Sequence, residues 1–177
     1  PTEHGFVSFA PEGKHIRAFW LDGRAMAKKG GKMMLRTAIL DGNKIKDERV
    51  LDDDVCTCCP TSAASLSTGP MVIYRDRSPK EIRDIAFTRR DATGWTPPAL
   101  VHADNWFFPA CPVNGASIAT YGNLIAISRY TIANNKAKII LRLSKTDKPK
   151  SSQDIILDAN NPTGRCATVC TKDAVYT

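Results

Sequence analysis

A Cys-Pro step occurs twice in the chain and marks an internal repeat. Cys59-Pro60 ends the segment Cys56-Thr57-Cys58-Cys59-Pro60, and Cys111-Pro112 repeats the step 52 residues later. Similar segments begin with proline at positions 1 and 162, so successive copies are spaced by 59, 52 and 50 residues. A period of this size predicts a propeller or a solenoid, in which each repeat is one unit packed against the next.

Each repeat is predicted to contain short antiparallel strands. The first strands end at turns over residues 11–13, 68–70, 121–123 and 172–173. Second strands are predicted at 16–21, 71–74, 124–128 and from 174 onward, third strands at 33–40, 81–90 and 137–143, and fourth strands at 46–51, 99–101 and 154–158. No segment has a convincing helical period. Four antiparallel strands per repeat is the arrangement of a β-propeller blade.

The predicted fold is therefore all-β, a single partial propeller over residues 1–177. Its repeats are placed at approximately 1–59, 60–111, 112–161 and 162–177, which gives three blades and the start of a fourth. Propellers close with about four to eight blades, and open sheet edges invite pairing with other strands. We therefore expect the remaining blades to come from further sequence or from another chain.

The turns between predicted third and fourth strands look like worn copies of the Asp-box, Ser-x-Asp-x-Gly-x-x-Trp. The copies are Asp41-Gly42-Asn43, Asp91-Ala92-Thr93-Gly94-Trp95 and Ser144-Lys145-Thr146-Asp147-Lys148. In an Asp-box the aspartate braces a hairpin and the aromatic side chain fills the edge of the blade. Asp-Gly turns occur in many β proteins, but their recurrence at one place in successive repeats favours the Asp-box interpretation.

Five further segments carry a family resemblance. They are Trp20-Leu21-Asp22-Gly23-Arg24, Asp54-Val55-Cys56-Thr57-Cys58-Cys59-Pro60-Thr61-Ser62-Ala63-Ala64, Tyr74-Arg75-Asp76-Arg77, Glu81-Ile82-Arg83-Asp84-Ile85 and Cys111-Pro112-Val113-Asn114-Gly115. Together they resemble bacterial sialidase-like proteins with Asp-box (BNR-type) repeats. The resemblance implies a six-bladed propeller, usually exported, whose family is often labelled exo-alpha-sialidase. Because propellers host many unrelated functions, the activity is an expectation from fold analogy alone.

The charged residues of these segments indicate a site for an acidic glycan. A guanidinium group can bind a carboxylate through two hydrogen bonds, and second-strand ends at one repeat position would share one face of a propeller. The candidate ligand-binding residues are Arg24, Arg75, Arg77, Arg83 and Arg129. Sialidase-type hydrolysis also uses a tyrosine nucleophile and carboxylates, for which Tyr74, Asp76, Glu81 and Asp84 are candidates. The alternating charges favour salt bridges between blades over a ligand site, and the family's Arg-Ile-Pro motif is not in the chain, so enzymatic activity stays open.

The cysteines admit a disulfide, a metal site or buried free thiols. In an extended strand Cys56 and Cys58 point to one side and Cys59 to the other, so a tetrahedral metal would need a sharp turn, which Pro60 makes possible. Cys59 and Cys111 hold equivalent positions in adjacent repeats, which predicts a disulfide between them. The alternative is a copper or zinc site that these two share with Cys56 or Cys58.

Composition narrows the remaining classes. Lys and Arg are scattered despite a net charge of +7, so nucleic-acid binding is not expected. The run Asp52-Asp53-Asp54 is read as a solvated loop, with calcium binding as the alternative. No apolar stretch is long enough for a membrane span. Six cysteines in a β-rich chain favour an oxidising compartment, the periplasm or the cell exterior.

Two functions are therefore expected from the sequence. The first is an exported sialidase-like propeller that recognises or hydrolyses acidic, carboxylate-bearing glycans. The second is a non-catalytic propeller that serves as a structural or metal-binding accessory subunit of a larger extracytoplasmic assembly. The two functions depend on different residues: glycan recognition depends on the arginines, and metal binding depends on the cysteines.

Overall fold

The computed structural model describes residues 2–146 and 148–177 and is built from antiparallel sheets. The first sheet contains β1 (His4–Glu12), β2 (His15–Asp22), β3 (Met34–Asp41) and β4 (Lys44–Asp52), in that spatial order. The second contains β5 (Ser62–Leu66), β6 (Gly69–Arg75), β7 (Ile85–Asp91), β8 (Gly94–Trp95) and β9 (Ala99–Leu100), which also pairs with β7. The third contains β10 (Ser117–Tyr121), β11 (Leu124–Thr131), β12 (Lys138–Lys145) and β13 (Lys148–Asp158), and β14 (Val169–Cys170) pairs with β15 (Val175–Tyr176) in a final hairpin. The all-β prediction is confirmed.

Helical structure is limited to short turns. In the described ranges these are the 3₁₀ turns Arg24–Ala27 and Ala133–Asn135, each in the connection from a second to a third strand. Among the same residues, no helix has the length and apolar character needed to cross a bilayer.

The sheets pack face to face through two apolar layers. The layer between the first and second sheets contains Ala10, Phe19, Leu21, Met33, Leu35, Val55, Val72, Tyr74 and Ala86. The layer between the second and third sheets contains Leu66, Met71, Ile73, Ile85, Val101, Ala116, Ile118, Ile125 and Ile127. Successive side chains of a strand point to opposite faces of its sheet. Val72 and Tyr74 of β6 therefore enter one layer while Met71 and Ile73 enter the other, which explains why this strand is apolar throughout.

The first strand of each unit lies against the first strand of the next. β1 contacts β5, β5 contacts β10, and β10 contacts β14. A cavity of about 430 Å³ is bordered by the beginnings of all four units; its lining includes Phe6, Thr61, Ser62, Ser117, Cys166 and Ala167. The described residues form an open series of sheets and no closed ring. The repeat boundaries stay a prediction.

Two strand predictions differ from the structure. Residues 81–84, placed in a third strand, precede β7. Glu81 ends a turn, with a positive φ of 56° and an N–H that donates to the Ser78 carbonyl, and Ile82 forms an isolated antiparallel bridge with Phe107. The fourth strand of the second repeat is split into β8 and β9, because Pro97 and Pro98 lie between them and proline has no N–H to donate to a neighbouring strand.

The Asp-box-like turns of the first two repeats are tight hairpins. Asp91 Oδ1 accepts hydrogen bonds from the N–H of Thr93 at 2.8 Å and from its hydroxyl at 2.7 Å. Trp95, at the end of the same turn, packs against Phe19 of the first sheet with ring centroids 5.8 Å apart. This aromatic side chain therefore contacts the neighbouring sheet. Pro1 and Asp147, which belong to the predicted first repeat and third turn, lie outside the described residues.

Candidate cysteine metal centre

Three cysteine sulfurs meet in the connection between the first and second sheets. The Sγ of Cys56 lies 3.5 Å from that of Cys59 and 3.8 Å from that of Cys58. All three sulfurs, which we call the cysteine cluster, lie within 4.8 Å of one another. Cys58 is also disulfide-bonded to Cys111, with the two Cα atoms 6.0 Å apart. Four cysteines therefore come together at one place.

The local backbone explains how these sulfurs converge. The N–H of Val55 donates to the Met33 carbonyl and the N–H of Cys56 donates to the Arg75 carbonyl, both at 3.0 Å, so the segment is bound to the residue that precedes β3 and to the end of β6. The chain then turns over residues 57–59. This turn brings the sulfurs of Cys56 and Cys59 to the same side.

The sharp turn that a metal site shared by these cysteines requires is therefore present at residues 57–59. Two residues three apart point in opposite directions in a strand, but they can converge across a turn. The Cys56-x-x-Cys59 spacing was the signal that would have predicted this, because C-x-x-C is a common arrangement of paired thiols and of metal ligands.

The predicted Cys59–Cys111 disulfide is wrong, since Cys111 pairs with Cys58. Cys56 and Cys59 are each only 1% exposed and face one another. Cys58 is half-buried and Cys111 is exposed. The four cysteines thus form a buried thiol pair with a disulfide on its solvent side. Cys58, whose side chain points outward from the turn, reaches Cys111 in the connection between the second and third sheets.

Two arginines supply positive charge beside the buried thiols. The hydrogen bond with Cys59 lowers the pKa of Cys56 to about 6, burial opposes the shift, and the charges of Arg83 and Arg75 favour the thiolate. The pKa of Cys59 is raised, first by its hydrogen bond with Cys56 and then by burial. The pair is therefore suited to carry one negative charge near neutral pH, with the proton kept on Cys59.

Arg75 is held rigidly next to these sulfurs. Its side chain is buried, and its Nε donates to the Asn114 carbonyl at 2.6 Å while Nη2 donates to the Tyr130 carbonyl at 3.1 Å. A third hydrogen bond goes to the carbonyl of Arg83. Burial lowers the pKa of Arg75, and the nearby sulfurs of Cys59 and Cys56 act in the opposite direction. Arg75, one of the predicted ligand-binding arginines, therefore binds main-chain carbonyls and lies beside the cysteine sulfurs.

Arg77 and Arg83 share one carboxylate. Both form ion pairs with Glu81, at 2.7 Å from Arg77 Nη2 and 2.5 Å from Arg83 Nη2. The guanidinium groups lower the pKa of Glu81, with the hydrogen bond from Arg77 as the main cause. Arg75 and Arg83 are in contact through the carbonyl hydrogen bond, so these three predicted arginines are brought together around one turn.

Arg24 and Arg129 lie in separate ion-pair groups. Arg24, in the 3₁₀ turn between β2 and β3, has its Nη2 2.8 Å from Asp22 at the end of β2 and 3.1 Å from Glu48 on β4. Arg129, on β11, pairs with Asp104 at 2.8 Å and with Asp154 at 2.9 Å. The five predicted arginines therefore divide into three groups, each with its own carboxylates.

The predicted catalytic candidates have different surroundings. Tyr74 is fully buried and its hydroxyl donates to Asp52 at 2.5 Å, while burial raises the pKa of Tyr74. Asp84 is buried and accepts backbone hydrogen bonds from Asn105 at 2.9 Å and Trp106 at 3.0 Å. These two side chains therefore have clear roles in joining neighbouring segments.

Asp76 is a carboxylate with a raised pKa. It is half-buried, and desolvation together with the nearby charges of Asp52, Asp54 and Asp84 raises its pKa to about 6. The run Asp52-Asp53-Asp54 therefore lies close enough to Asp76 to raise its pKa. Asp54 also forms an ion pair with Lys32.

A polar cavity of about 440 Å³ surrounds the exposed side of the Arg129 ion pairs. We call it the Arg129 cavity; its lining includes His102, Asp104, Arg129, Lys138 and Asp154. His102 Nδ1 lies 2.7 Å from Asp104. Arg129 itself is fully buried, and its Nη1 has no hydrogen-bond partner among the described residues. The sequence predicted a role for Arg129, but not its neighbours, which come from the loop at residues 102–104 and from β12 and β13.

The comparisons with known proteins add no relative to this picture. No family model, no curated protein and no solved structure matches the chain.

Proposed function

We propose that the chain binds zinc or copper(I) through the thiol form of the cysteine cluster. The observation that carries this proposal is the convergence of three cysteine sulfurs within 4.8 Å. Zinc binds thiolates at about 2.3 Å, so two ligands of a tetrahedral ion lie about 3.8 Å apart. The distances from Cys56 to its two neighbours, 3.5 and 3.8 Å, match that spacing. The donor set is soft, which favours these two metals over calcium or magnesium.

The charges around the cluster support the same chemistry. Three thiolates and one divalent ion leave a negative charge, which is costly to bury unless it is compensated. Arg75 and Arg83 provide that compensation, since both charges act on Cys56. A copper(I) complex would carry one more negative charge than a zinc complex and would depend more on the two arginines.

The test is metal stoichiometry and affinity in the protein kept reduced by a phosphine. We expect one zinc or copper(I) ion per chain, and Cys56→Ser or Cys59→Ser should abolish tight binding. Cys170→Ser is the matched control, because Cys170 lies in the final hairpin outside the cluster. Reduced wild-type protein that takes up neither metal would refute the proposal.

We also propose that the sheets are blades of a sialidase-like propeller. Support comes from the four-stranded meanders, the contacts from β1 to β5 to β10 to β14, and the cavity bordered by all four units. In this scaffold, additional blades from further sequence or another chain would complete the ring. The Cys58–Cys111 disulfide supports a periplasmic or extracellular location, and the metal centre supports a role as an accessory subunit of a larger assembly.

Recognition of an acidic glycan is a second candidate, supported by the Arg129 cavity. Lys138 supplies a positive charge to the lining, and Asp104 and Asp154 supply hydrogen-bond acceptors. A sugar carboxylate would pair with Lys138 while the sugar hydroxyl groups donate to Asp104 or Asp154. Titration with sialyllactose tests this: binding that weakens in Lys138→Ala but not in Lys14→Ala supports it, and absence of binding at millimolar ligand excludes it.

A further inference from the structure

We infer that Cys58 is a redox switch that decides whether the proposed metal centre is complete. Its sulfur has two possible roles, thiolate ligand of a metal ion and partner in a disulfide, and these roles exclude one another. It lies 3.8 Å from Cys56 Sγ in the cysteine cluster, and it is bonded to Cys111 in the disulfide. A sulfur in a disulfide is not a thiolate and cannot serve as a strong ligand for zinc. This inference rests on the proposed metal site and adds its regulation.

The positions of the four sulfurs place the switch within reach of solvent. Cys56 and Cys59 are 1% exposed, whereas Cys58 is half-buried and Cys111 is exposed. A reductant can therefore approach the disulfide from the Cys111 side while the buried pair stays shielded. Thiol–disulfide exchange requires this access to one of the two sulfurs.

Reduction by a dithiol completes the thiol set in two balanced steps. One thiolate of the reductant attacks Cys111 Sγ, the bond to Cys58 breaks, and Cys58 leaves as a thiolate next to Cys56. The second thiol of the reductant then loses its proton and attacks the first sulfur of the reductant, which is bonded to Cys111 in the mixed disulfide. This step releases Cys111 as a thiolate. The reductant ends as a disulfide, and two electrons have passed to the protein.

The two redox states therefore differ in the number of available ligands. With the disulfide closed, only Cys56 and Cys59 can bind a metal ion. With the disulfide open, Cys58 supplies a third thiolate, and Cys111, whose Cα lies 6.0 Å from that of Cys58, is placed to supply a fourth. Structural zinc sites use four ligands, so the open state binds zinc more strongly.

The switch is tested by zinc affinity in competition with a chromogenic chelator, with the 177-residue chain reduced by a phosphine or oxidised by glutathione disulfide. We expect the oxidised wild-type protein to bind zinc at least about 100-fold more weakly than the reduced protein. Cys111→Ser cannot close the disulfide but keeps the cysteine cluster, so the reduced variant should bind zinc more tightly than the oxidised wild-type protein. Cys166→Ser should behave like the wild type.

The outcomes separate this inference from the proposed function. Reduced wild-type protein that fails to bind zinc, with an unchanged far-UV circular dichroism spectrum, refutes the metal site itself. Equal zinc affinity of reduced and oxidised wild-type protein, with the disulfide verified by mass spectrometry, refutes the switch and leaves the metal site standing. If reduction unfolds the wild-type chain, Cys111→Ser decides: reduced Cys111→Ser that binds zinc no more tightly than the oxidised wild type also refutes the switch.

Discussion

Arg75 holds the two cysteine-bearing connections together. Its side chain donates a 2.6 Å hydrogen bond to the carbonyl of Asn114, three residues after Cys111, while its own carbonyl accepts from the N–H of Cys56 at 3.0 Å. Its guanidinium carbon lies 4.8 Å from the centroid of the Trp106 ring. Because one residue contacts both connections, the distance between Cys58 and Cys111 depends on a buried arginine as well as on the disulfide.

Arg75→Met should therefore reduce stability strongly. The substitution removes donors from three carbonyls, two of which belong to the buried residues Arg83 and Tyr130, and we expect the free energy of unfolding to fall by about 3 kcal/mol. Urea denaturation at pH 7 measures this loss. Arg77→Met is the control, because the Arg77 side chain is 41% exposed and an exposed ion pair contributes less than about 1 kcal/mol. Equal effects of the two substitutions would contradict the anchoring role of Arg75.

Asp76→Asn should increase stability at neutral pH. Burial raises the pKa of Asp76 from 3.8 to about 6, so the folded protein holds this proton more tightly than the unfolded chain. The resulting stabilisation is complete below about pH 4 and is lost as the pH rises to about 6. Asparagine cannot ionise, so the variant should be more stable than the wild type by about 1 kcal/mol at pH 7.5, after allowance for solvent screening.

The pH profile of this pair of proteins is the measurement. The difference in unfolding free energy between Asp76→Asn and the wild type should grow between pH 4 and pH 6.5 and then level off. Asp91→Asn is a suitable comparison. Hydrogen bonds from Thr93 lower the pKa of Asp91, so the Asp91→Asn variant should be less stable than the wild type at neutral pH, the opposite of Asp76→Asn. A constant difference across the pH range would show that Asp76 titrates normally.

Trp95→Ala should weaken the contact between the first and second sheets. The indole packs edge-on against Phe19, and the guanidinium carbon of Arg17 lies 5.4 Å from its ring centroid. Loss of these contacts should reduce the unfolding free energy by about 3 kcal/mol. The control is Phe107→Ala, since Phe107 is 62% exposed and should change stability by less than about 0.5 kcal/mol.

Gly115→Ala should separate the cysteine-bearing connections. A Cβ atom at this position would clash with the carbonyl oxygen of Pro60, the residue that follows the cysteine cluster. We expect a loss of about 2 kcal/mol in unfolding free energy and a smaller fraction of the Cys58–Cys111 disulfide in a fixed glutathione buffer. Gly5→Ala provides the comparison, because its Cβ would meet nothing within 4 Å. An unchanged disulfide fraction in Gly115→Ala would refute the close approach.

The strands could be predicted where local pattern and burial agree. Met71-Val72-Ile73-Tyr74 forms a continuous apolar run because both faces of β6 are covered, and such runs are typical of doubly buried strands. Residues 81–84 directly precede β7, but Glu81 takes a left-handed conformation and the segment pairs with residues 106–108 through Ile82 and Arg83. Those partners are distant in the chain, and no local pattern reveals them.

The cysteine site was predicted in composition but not in connectivity. The repeat placed Cys111 near the other three cysteines, and this proximity is present in the structure. Which cysteine reaches Cys111 depends on the turn at 57–59, and this segment contains neither glycine nor proline as a local turn signal. Pro60 lies one position too late to define the turn.

The alternation of side chains along β6 has a consequence for how the chain folds. Val72 and Tyr74 pack with the first sheet, and Met71 and Ile73 pack with the third. Formation of either interface fixes the backbone of the same strand and so removes part of the entropic cost of forming the other. The three sheets should therefore unfold in a single cooperative transition, with β6 as the element through which each sheet responds to the loss of its neighbour.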